Sequence, residues 1–283
     1  MFAMKKPLWL NKRVNLSAHR KIKSLLRELN LHTICEESLC PNVSECFSHG
    51  VATFMILGDI CTRACKFCAV VKGKPRKVDY GEPKRVKEAV KKLNLNYIVI
   101  TSPTRDDLGD GGAEIFAQTA GGIKSIDSCR RVELLIPDFL GNKGSLKKVA
   151  NCGADVITHN LETPPRLYRE IKKGSEYERS LEALRIIKKI KGRVYTKSGL
   201  ILGLGEEEKE IIGVFKDLRR VGCDFLTIGQ YLPPSVDCHP VKKYISQSEF
   251  DYLKEEAFKI GFKEVKSAPY VRSSYLAHTF LIP

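Results

Sequence analysis

Residues 53–68 read Thr53-Phe-Met-Ile-Leu57-Gly-Asp-Ile-Cys61-Thr-Arg-Ala-Cys65-Lys-Phe-Cys68. The run from Thr53 to Leu57, stopped by Gly58-Asp59, has the character of a short buried strand followed by a turn. Three thiols spaced C-x3-C-x2-C therefore fall in the loop after a strand. Upstream, Cys35-Glu-Glu-Ser-Leu-Cys40-Pro-Asn-Val-Ser-Glu-Cys46 spaces three more as C-x4-C-x5-C, so residues 35–68 hold six of the ten cysteines. Thiolates are the usual protein ligands of iron–sulfur clusters, and a cubic cluster has four irons to satisfy. Each triplet thus predicts a 4Fe-4S cluster with one iron lacking a local ligand. What fills those two positions defines the chemistry.

Other uses of cysteine fit less well. A disulfide framework needs an oxidising compartment, and residues 1–30 contain no apolar core of signal-peptide length. Structural zinc sites close with four ligands, usually in paired C-x2-C or Cys/His arrangements. Buried free cysteines are common, but not as two close triplets in one stretch. Abundant cysteine without a secretory signal points to a reducing cytoplasm, and the short basic lead-in is not expected to be a cleaved transit peptide. No apolar run reaches the ~20 residues needed to span a bilayer. The formal net charge of +15 would suit RNA, an anionic membrane surface or an acidic protein partner. The lysines are nevertheless spread along most of the chain, as on a solvated surface.

Outward from the cysteines, strand and helix patterns alternate. A basic lead-in ends in a helix expected over 18–29, with Ile22, Leu25, Leu26 and Leu29 at helical spacing. The first triplet reads as loop because Pro41, Asn42 and Ser44 disfavour regular structure. Helices are expected over 83–93, 113–126, 145–151, 178–190, 207–221 and 248–260, the last opened by the capping box Ser246-Gln-Ser-Glu249. Strands are expected over 53–57, 97–101, 132–136, 156–159, 195–202 and 225–229. These six β/α units predict parallel strands covered by helices. A complete eight-unit barrel takes about 250 residues, so six units suggest an open or partial barrel, with a doubly wound sheet as the alternative. Either architecture places ligands at the carboxyl ends of the strands. The C-x3-C-x2-C loop falls there.

Further polar motifs follow other strands. Gly111-Gly112 before a helix would let backbone approach a ligand and offer it N–H donors, or simply end the polar turn 101–112. Asn160 and Glu162 after the fourth strand could bind ammonium, hydroxyl or ribose groups, or satisfy local backbone. Thr196-Lys-Ser-Gly199 and Gly203-Leu-Gly205-Glu206 flank the end of the fifth strand without the context of a dinucleotide fingerprint. His159 and His239 read as structural. Cys129, Cys152, Cys223 and Cys238 read as small core residues. Near the C-terminus, Val271-Arg272-Ser273-Ser274-Tyr275 is either a surface turn or the source of the first triplet's missing ligand. Local spacing does not decide between them.

C-x3-C-x2-C after a first barrel strand resembles the radical S-adenosylmethionine enzymes. Within that class the chain resembles the lipoyl synthase family. That likeness rests on Cys35 to Cys46, Gly58-Asp-Ile-Cys-Thr-Arg, Arg105-Asp-Asp, Asp110-Gly-Gly, Asn160-Leu-Glu-Thr, Leu226-Thr-Ile-Gly-Gln-Tyr and Arg272-Ser-Ser-Tyr. The resemblance implies a partial (β/α)6 TIM-type barrel over 51–262. Short N- and C-terminal extensions would cover 1–50, carrying the auxiliary-cluster cysteines, and 263–283, carrying the Arg-Ser-Ser-Tyr motif. It implies that Cys61, Cys65 and Cys68 hold the catalytic 4Fe-4S cluster, whose open iron chelates S-adenosylmethionine. It implies further that Cys35, Cys40, Cys46 and Ser274 hold an auxiliary 4Fe-4S cluster that is dismantled as the sulfur source. Arg272 would assist there, and Gly111, Gly112, Asn160 and Glu162 would bind the cofactor. The implied reaction inserts two sulfur atoms at C6 and C8 of a protein-bound octanoyl-lysine. The implied partners are an octanoylated lipoyl-carrier protein or lipoyl domain, an electron donor such as flavodoxin or ferredoxin, and an iron–sulfur cluster carrier. Nucleic acid and membrane are not expected.

Some positions depart from the family pattern: Cys238 for histidine, Leu276 for a polar residue, and Pro103-Thr104 for Val-Asp. They spare the seven expected cluster ligands and bear on carrier recognition and substrate placement. Rival functions are another sulfur-inserting or methylthiolating radical enzyme, a basic RNA-binding iron–sulfur protein, and a two-cluster electron carrier. A biotin-synthase-like chain would not pair the N-terminal triplet with Arg272-Ser-Ser-Tyr. No RNA-binding module is recognisable, and the C-x2-C-x2-C-x3-C-P run of two-cluster carriers is absent.

Overall fold

Six strands pair in parallel in the order they occur along the chain: β1 (Thr53–Met55), β2 (Tyr97–Thr101), β3 (Arg131–Leu135), β4 (Val156–Thr158), β5 (Tyr195–Leu202) and β6 (Phe225–Gln230). A seventh parallel strand, β7 (Glu264–Ser267), follows β6, and His32–Thr33 pairs antiparallel with β1 at the other edge. The computed structural model describes residues 5–11, 19–48 and 51–281. Strand order that never reverses has no switch point, which excludes the doubly wound alternative and gives an open barrel. The six expected β/α units are present, and the sheet continues one strand past residue 262, into the expected C-terminal extension.

Helices pack on the outside through apolar stripes. Ala113–Lys124 buries Ile115, Phe116, Ala120 and Ile123, with the Phe116 ring edge-on to Phe139 at 6.1 Å. Gln247–Ile260 begins with the expected capping box: Ser246 Oγ accepts from Glu249 N at 3.3 Å, and the Glu249 carboxylate accepts from Ser246 N at 2.9 Å. Outside the cysteine segments, one α-helix was not anticipated from the sequence. Pro165–Ile171 begins at a proline, which suits a first helical position although it looks like a breaker. The N-terminal helix runs His19–Glu28, while Ala18, its expected first residue, lies outside the described residues.

The first cysteine triplet is not the continuous loop expected. It lies on two short helices, Ile34–Glu37 and Val43–Ser48, separated by a turn through Pro41 and Asn42. The turn propensity is real but local: Asn42 immediately precedes the second helix, where asparagine is favoured, and its carbonyl accepts from Cys46 N at 2.9 Å.

Beyond β7 the chain enters the barrel. Successive strand residues face opposite sides, and the inward positions Gly229, Phe225 and Val156 receive this tail. Val271 lies so close to Gly229 that a Cβ there would stand 2.0 Å from the Val271 carbonyl oxygen. Further along, Phe280 is buried against Val156 and Phe225 at the opposite end of the strands. The tail thus descends the inner face of the sheet.

Candidate active site

The C-x3-C-x2-C loop leaves β1 through Leu57, whose φ of +69° is unusual for leucine. Ile60–Cys61 pairs with Val71–Lys72, closing the loop at its base. Two backbone N–H groups, from Arg63 at 3.4 Å and Thr104 at 3.3 Å, point at Cys61 Sγ. Lys66, between Cys65 and Cys68, donates from its N to the Ile171 carbonyl and accepts at its carbonyl from His239 N, both at 2.8 Å. At the departure Thr104, the hydrogen bonds to Cys61 and Thr62 come from its backbone, which any residue but proline would supply. Burial pushes the Cys68 thiol up to about 12 and the Cys65 thiol up to about 11, the latter opposed by Lys172. Both are therefore thiols in the metal-free chain, and ligation must release their protons.

Cys35, Cys40 and Cys46 line a small cavity with Asn42, Thr53, Arg272, Ser274 and Tyr275. The two ends of the chain meet here. Asn42 Nδ2 donates to the Tyr270 carbonyl at 2.6 Å, and the Tyr275 hydroxyl donates to Glu45 Oε1 at 2.7 Å. The Tyr270 hydroxyl donates to the Leu10 carbonyl. Burial first, then Cys40, pushes the Cys35 thiol up to about 12. Three thiols and a hydroxyl around one cavity form a donor set suited to a cubic cluster. Among the described residues no three His, Cys, Asp or Glu side chains converge as a single metal ion would require. A cubane binds its ligands at separate corners and needs no such convergence.

A larger cavity of about 280 Å³ opens at the carboxyl ends of the strands. Its walls include Cys35 and Cys40 from the first triplet, Cys68 from the second, Asn160, Glu162, Arg272 and Ser274. Arg272 and Ser274 line both cavities and so form part of the wall between them. Glu162 has φ +69°, and its side chain is hydrogen-bonded to Asn160. Burial raises the Glu162 carboxyl, against the nearby Lys172 and Arg272 charges. Burial likewise pulls the Arg272 guanidinium down, while Cys40 and Glu162 counter it. A non-glycine residue held in left-handed backbone inside a cavity is typical of functional sites.

Gly111 and Gly112 do not join this cavity. Their φ values are +62° and +88°, and a Cβ at Gly112 would lie 2.2 Å from Leu57 Cδ1, at Gly111 2.8 Å from Phe139 Cδ1. The N–H groups expected to face a ligand are in use: the Asp110 carboxylate accepts from Gly112 N and Glu114 N, both at 2.8 Å. The glycine pair instead seats a helix against the strand that carries the cysteine loop. His159 and His239 behave as structural residues, donating to the carbonyls of Ile136 at 2.8 Å and Leu204 at 3.2 Å.

Sequence reasoning gave no individual role to Arg63 or Lys172. The buried Arg63 guanidinium bonds Asp106 at 2.7 and 2.9 Å and Asp138 at 2.6 and 3.1 Å, and Arg179 bonds Asp138 at 2.8 Å. Burial alone would raise the Asp138 carboxyl, but the Arg63 and Arg179 hydrogen bonds hold it well below the usual range. Arg63→Met leaves that carboxylate buried and underpaired, so it is expected to cost about 3–5 kcal/mol, measured by denaturant unfolding of the metal-free protein. Lys172, buried, donates from Nζ to the Asn160 carbonyl at 2.6 Å and lies near Glu162 and Cys65. Lysine and arginine are common in this chain, so only tertiary placement distinguishes these two.

An open parallel barrel whose first strand delivers C-x3-C-x2-C to the ligand-binding end defines a radical S-adenosylmethionine protein, and residues 55–218 match the Radical SAM superfamily. Solved structures agree on the fold: methylornithine synthase (PylB) has a TM-score of 0.55 at 15% identity over 76% of this chain and 70% of that one. SuiB of Streptococcus suis has 0.58 at 13% identity over 97% and 60%. Within the superfamily the chain belongs to the lipoyl synthase family. It is 55% identical to the lipoyl synthase of Caldicellulosiruptor saccharolyticus, over 98% of both chains. It is 51% identical to that of Geobacter metallireducens, again over 98% of both. Use of S-adenosylmethionine and 4Fe-4S chemistry comes with that membership.

Proposed function

We propose that this chain inserts two sulfur atoms, at C6 and C8, into an octanoyl-lysine of a carrier protein, using two clusters with distinct duties. When bound, one cluster supplies the electron that cleaves S-adenosylmethionine and the other supplies sulfur. Cys61, Cys65 and Cys68 hold the first, and the N–H groups of Arg63 and Thr104 fix the position of Cys61 Sγ. Glu162 and Asn160, which line the same cavity as Cys68, would orient the cofactor. Cys35, Cys40, Cys46 and Ser274 hold the second cluster, with Arg272 between it and the reaction cavity. The observation that carries this reading is Ser274 on the same cavity wall as the three N-terminal cysteines. The deciding experiment is anaerobic incubation with reductant, S-adenosylmethionine and an octanoyl-lysine peptide, followed by mass spectrometry. Paired sulfur addition supports the reading; methylthiolation or a single sulfur overturns it.

The electron donor in this reading is a flavodoxin or ferredoxin, and a cluster carrier renews the second site. We place the protein in the cytoplasm: six of the ten cysteines are proposed cluster ligands and none of the ten is disulfide-bonded, which suits a reducing compartment. Among the described residues no helix is long and apolar enough to cross a membrane.

The carrier is recognised in part by charge. Lys72, Lys74, Arg76 and Lys77 are exposed on the loop that leaves the C-x3-C-x2-C turn. Steering between exposed charges is screened over roughly 8 Å at physiological ionic strength. Reversing these four charges is expected to lower kcat/KM for the intact carrier on the order of tenfold, with little effect on a short octanoyl-lysine peptide. Stopped-flow association and turnover at two salt concentrations would measure it. Equal losses on both substrates would contradict steering.

A further inference from the structure

Lys197 lies inside the barrel on β5, and its side chain has no solvent exposure. Its ammonium lies 2.5 Å from Glu133 Oε1 on β3, an equally buried carboxylate. Glu133 is itself held in place, accepting from the Thr158 hydroxyl at 2.8 Å and the Tyr97 hydroxyl at 2.6 Å. An isolated ion pair would satisfy one donor of the ammonium and leave the others to be matched. They are matched by the tail: Lys197 Nζ donates to the Ser273 carbonyl at 2.9 Å and stands 4.7 Å from the centre of the Phe280 ring. Ser273 is gripped a second time, its hydroxyl donating to Asn160 Oδ1 at 2.7 Å. The residue so fixed immediately precedes Ser274.

We infer that Lys197, anchored by Glu133, is a positioning residue for Ser274 as a cluster ligand. A buried charge pair of this kind contributes little net stability compared with an apolar replacement, but it dictates where its partners sit. Here the partner is the backbone one residue before the serine that faces Cys35, Cys40 and Cys46. Between β7 and Phe280 the tail forms no strand among the described residues; Gln230 N holds the Pro269 carbonyl at 3.1 Å and the N-terminal segment holds Tyr270 and Tyr275, while at Ser273 the barrel wall holds it through side chains. Lys197 acts on the backbone and Asn160 on the side chain of Ser273. The sequence segment Thr196-Lys-Ser-Gly199, otherwise unused by the reaction, thereby acquires a role.

This inference rests on ligation by Ser274, and the test separates the two. The double variant Lys197→Met with Glu133→Gln removes both charges together and leaves neither stranded. Each anaerobically loaded protein is challenged with an iron chelator and followed by Mössbauer spectroscopy. Iron loss from the N-terminal site is expected to be about tenfold faster than in the wild type, the usual order of loss when support around a metal ligand is removed. The signal from the Cys61, Cys65 and Cys68 site and the thermal midpoint of the metal-free protein should be unchanged. A purely structural role would move all three. Lys197→Gln with Glu133→Gln also strands no charge but keeps an amide donor at position 197, and is expected to give a smaller acceleration in the same direction; it decides the matter should the methionine variant not fold. Release at the wild-type rate in the folded variants overturns the inference, provided Ser274→Ala accelerates release. If Ser274→Ala itself releases iron at the wild-type rate, ligation by Ser274 is what fails.

Discussion

Replacing Cys61, Cys65 and Cys68 together with alanine is expected to abolish formation of 5′-deoxyadenosine while leaving a second cluster in place. Total iron should fall by about half. The two cysteine segments have separate supports. The C-x3-C-x2-C loop is pinned by backbone contacts from Thr104, Ile171 and His239. The N-terminal triplet is stapled to the tail through Asn42–Tyr270 and Glu45–Tyr275. Emptying one loop of thiols removes none of the contacts that shape the other. The reciprocal variant, with Cys35, Cys40 and Cys46 replaced, should retain cofactor cleavage and insert no sulfur. Mössbauer spectra and iron content of both variants read the result directly. Detection of a single cluster in the reconstituted wild type would defeat the two-cluster proposal.

The second large effect concerns Ser274. Three soft thiolates and one hard oxygen make an uneven ligand set, and the oxygen is the ligand most readily displaced. Such an exit suits a cluster that must give up sulfur. Ser274→Cys is expected to preserve or strengthen cluster binding while suppressing the second sulfur insertion. Ser274→Ala should loosen the cluster. Cofactor cleavage should largely survive in both, since the other triplet is untouched. The assay compares 5′-deoxyadenosine, monothiolated peptide and finished lipoyl peptide. Finished product at the wild-type rate from both variants would show that Ser274 neither binds the cluster nor takes part in sulfur release.

The barrel was legible because its strands are apolar runs bounded by turns: Tyr97–Thr101 and Tyr195–Leu202 coincide with the expected segments. Glu264–Ser267 was not, because Glu264-Val-Lys-Ser is four residues long with a single apolar side chain, too little for its alternation to register as a strand. Pro165–Ile171 was hidden by the residue type that starts it. The cysteine triplets could be read because ligand spacing is local. The meeting of Ser274 with Cys35, Cys40 and Cys46 depends on Gly229, Lys197 and Asn160 guiding a tail through the barrel, and no local pattern carries that information. Gly111-Gly112 shows the converse. A glycine pair before a helix signals close approach, but whether to a ligand or to Leu57 is decided only by packing.

The descent of the tail along the inner face of the sheet orders events in time during synthesis. Cys35, Cys40 and Cys46 leave the ribosome before the barrel strands and Ser274 after them, and the barrel wall that guides the tail must exist before the tail can settle on it. A cluster delivered to the nascent chain would meet three ligands and no fourth. On the proposed ligation by Ser274, the four-ligand site therefore forms only once the barrel is in place.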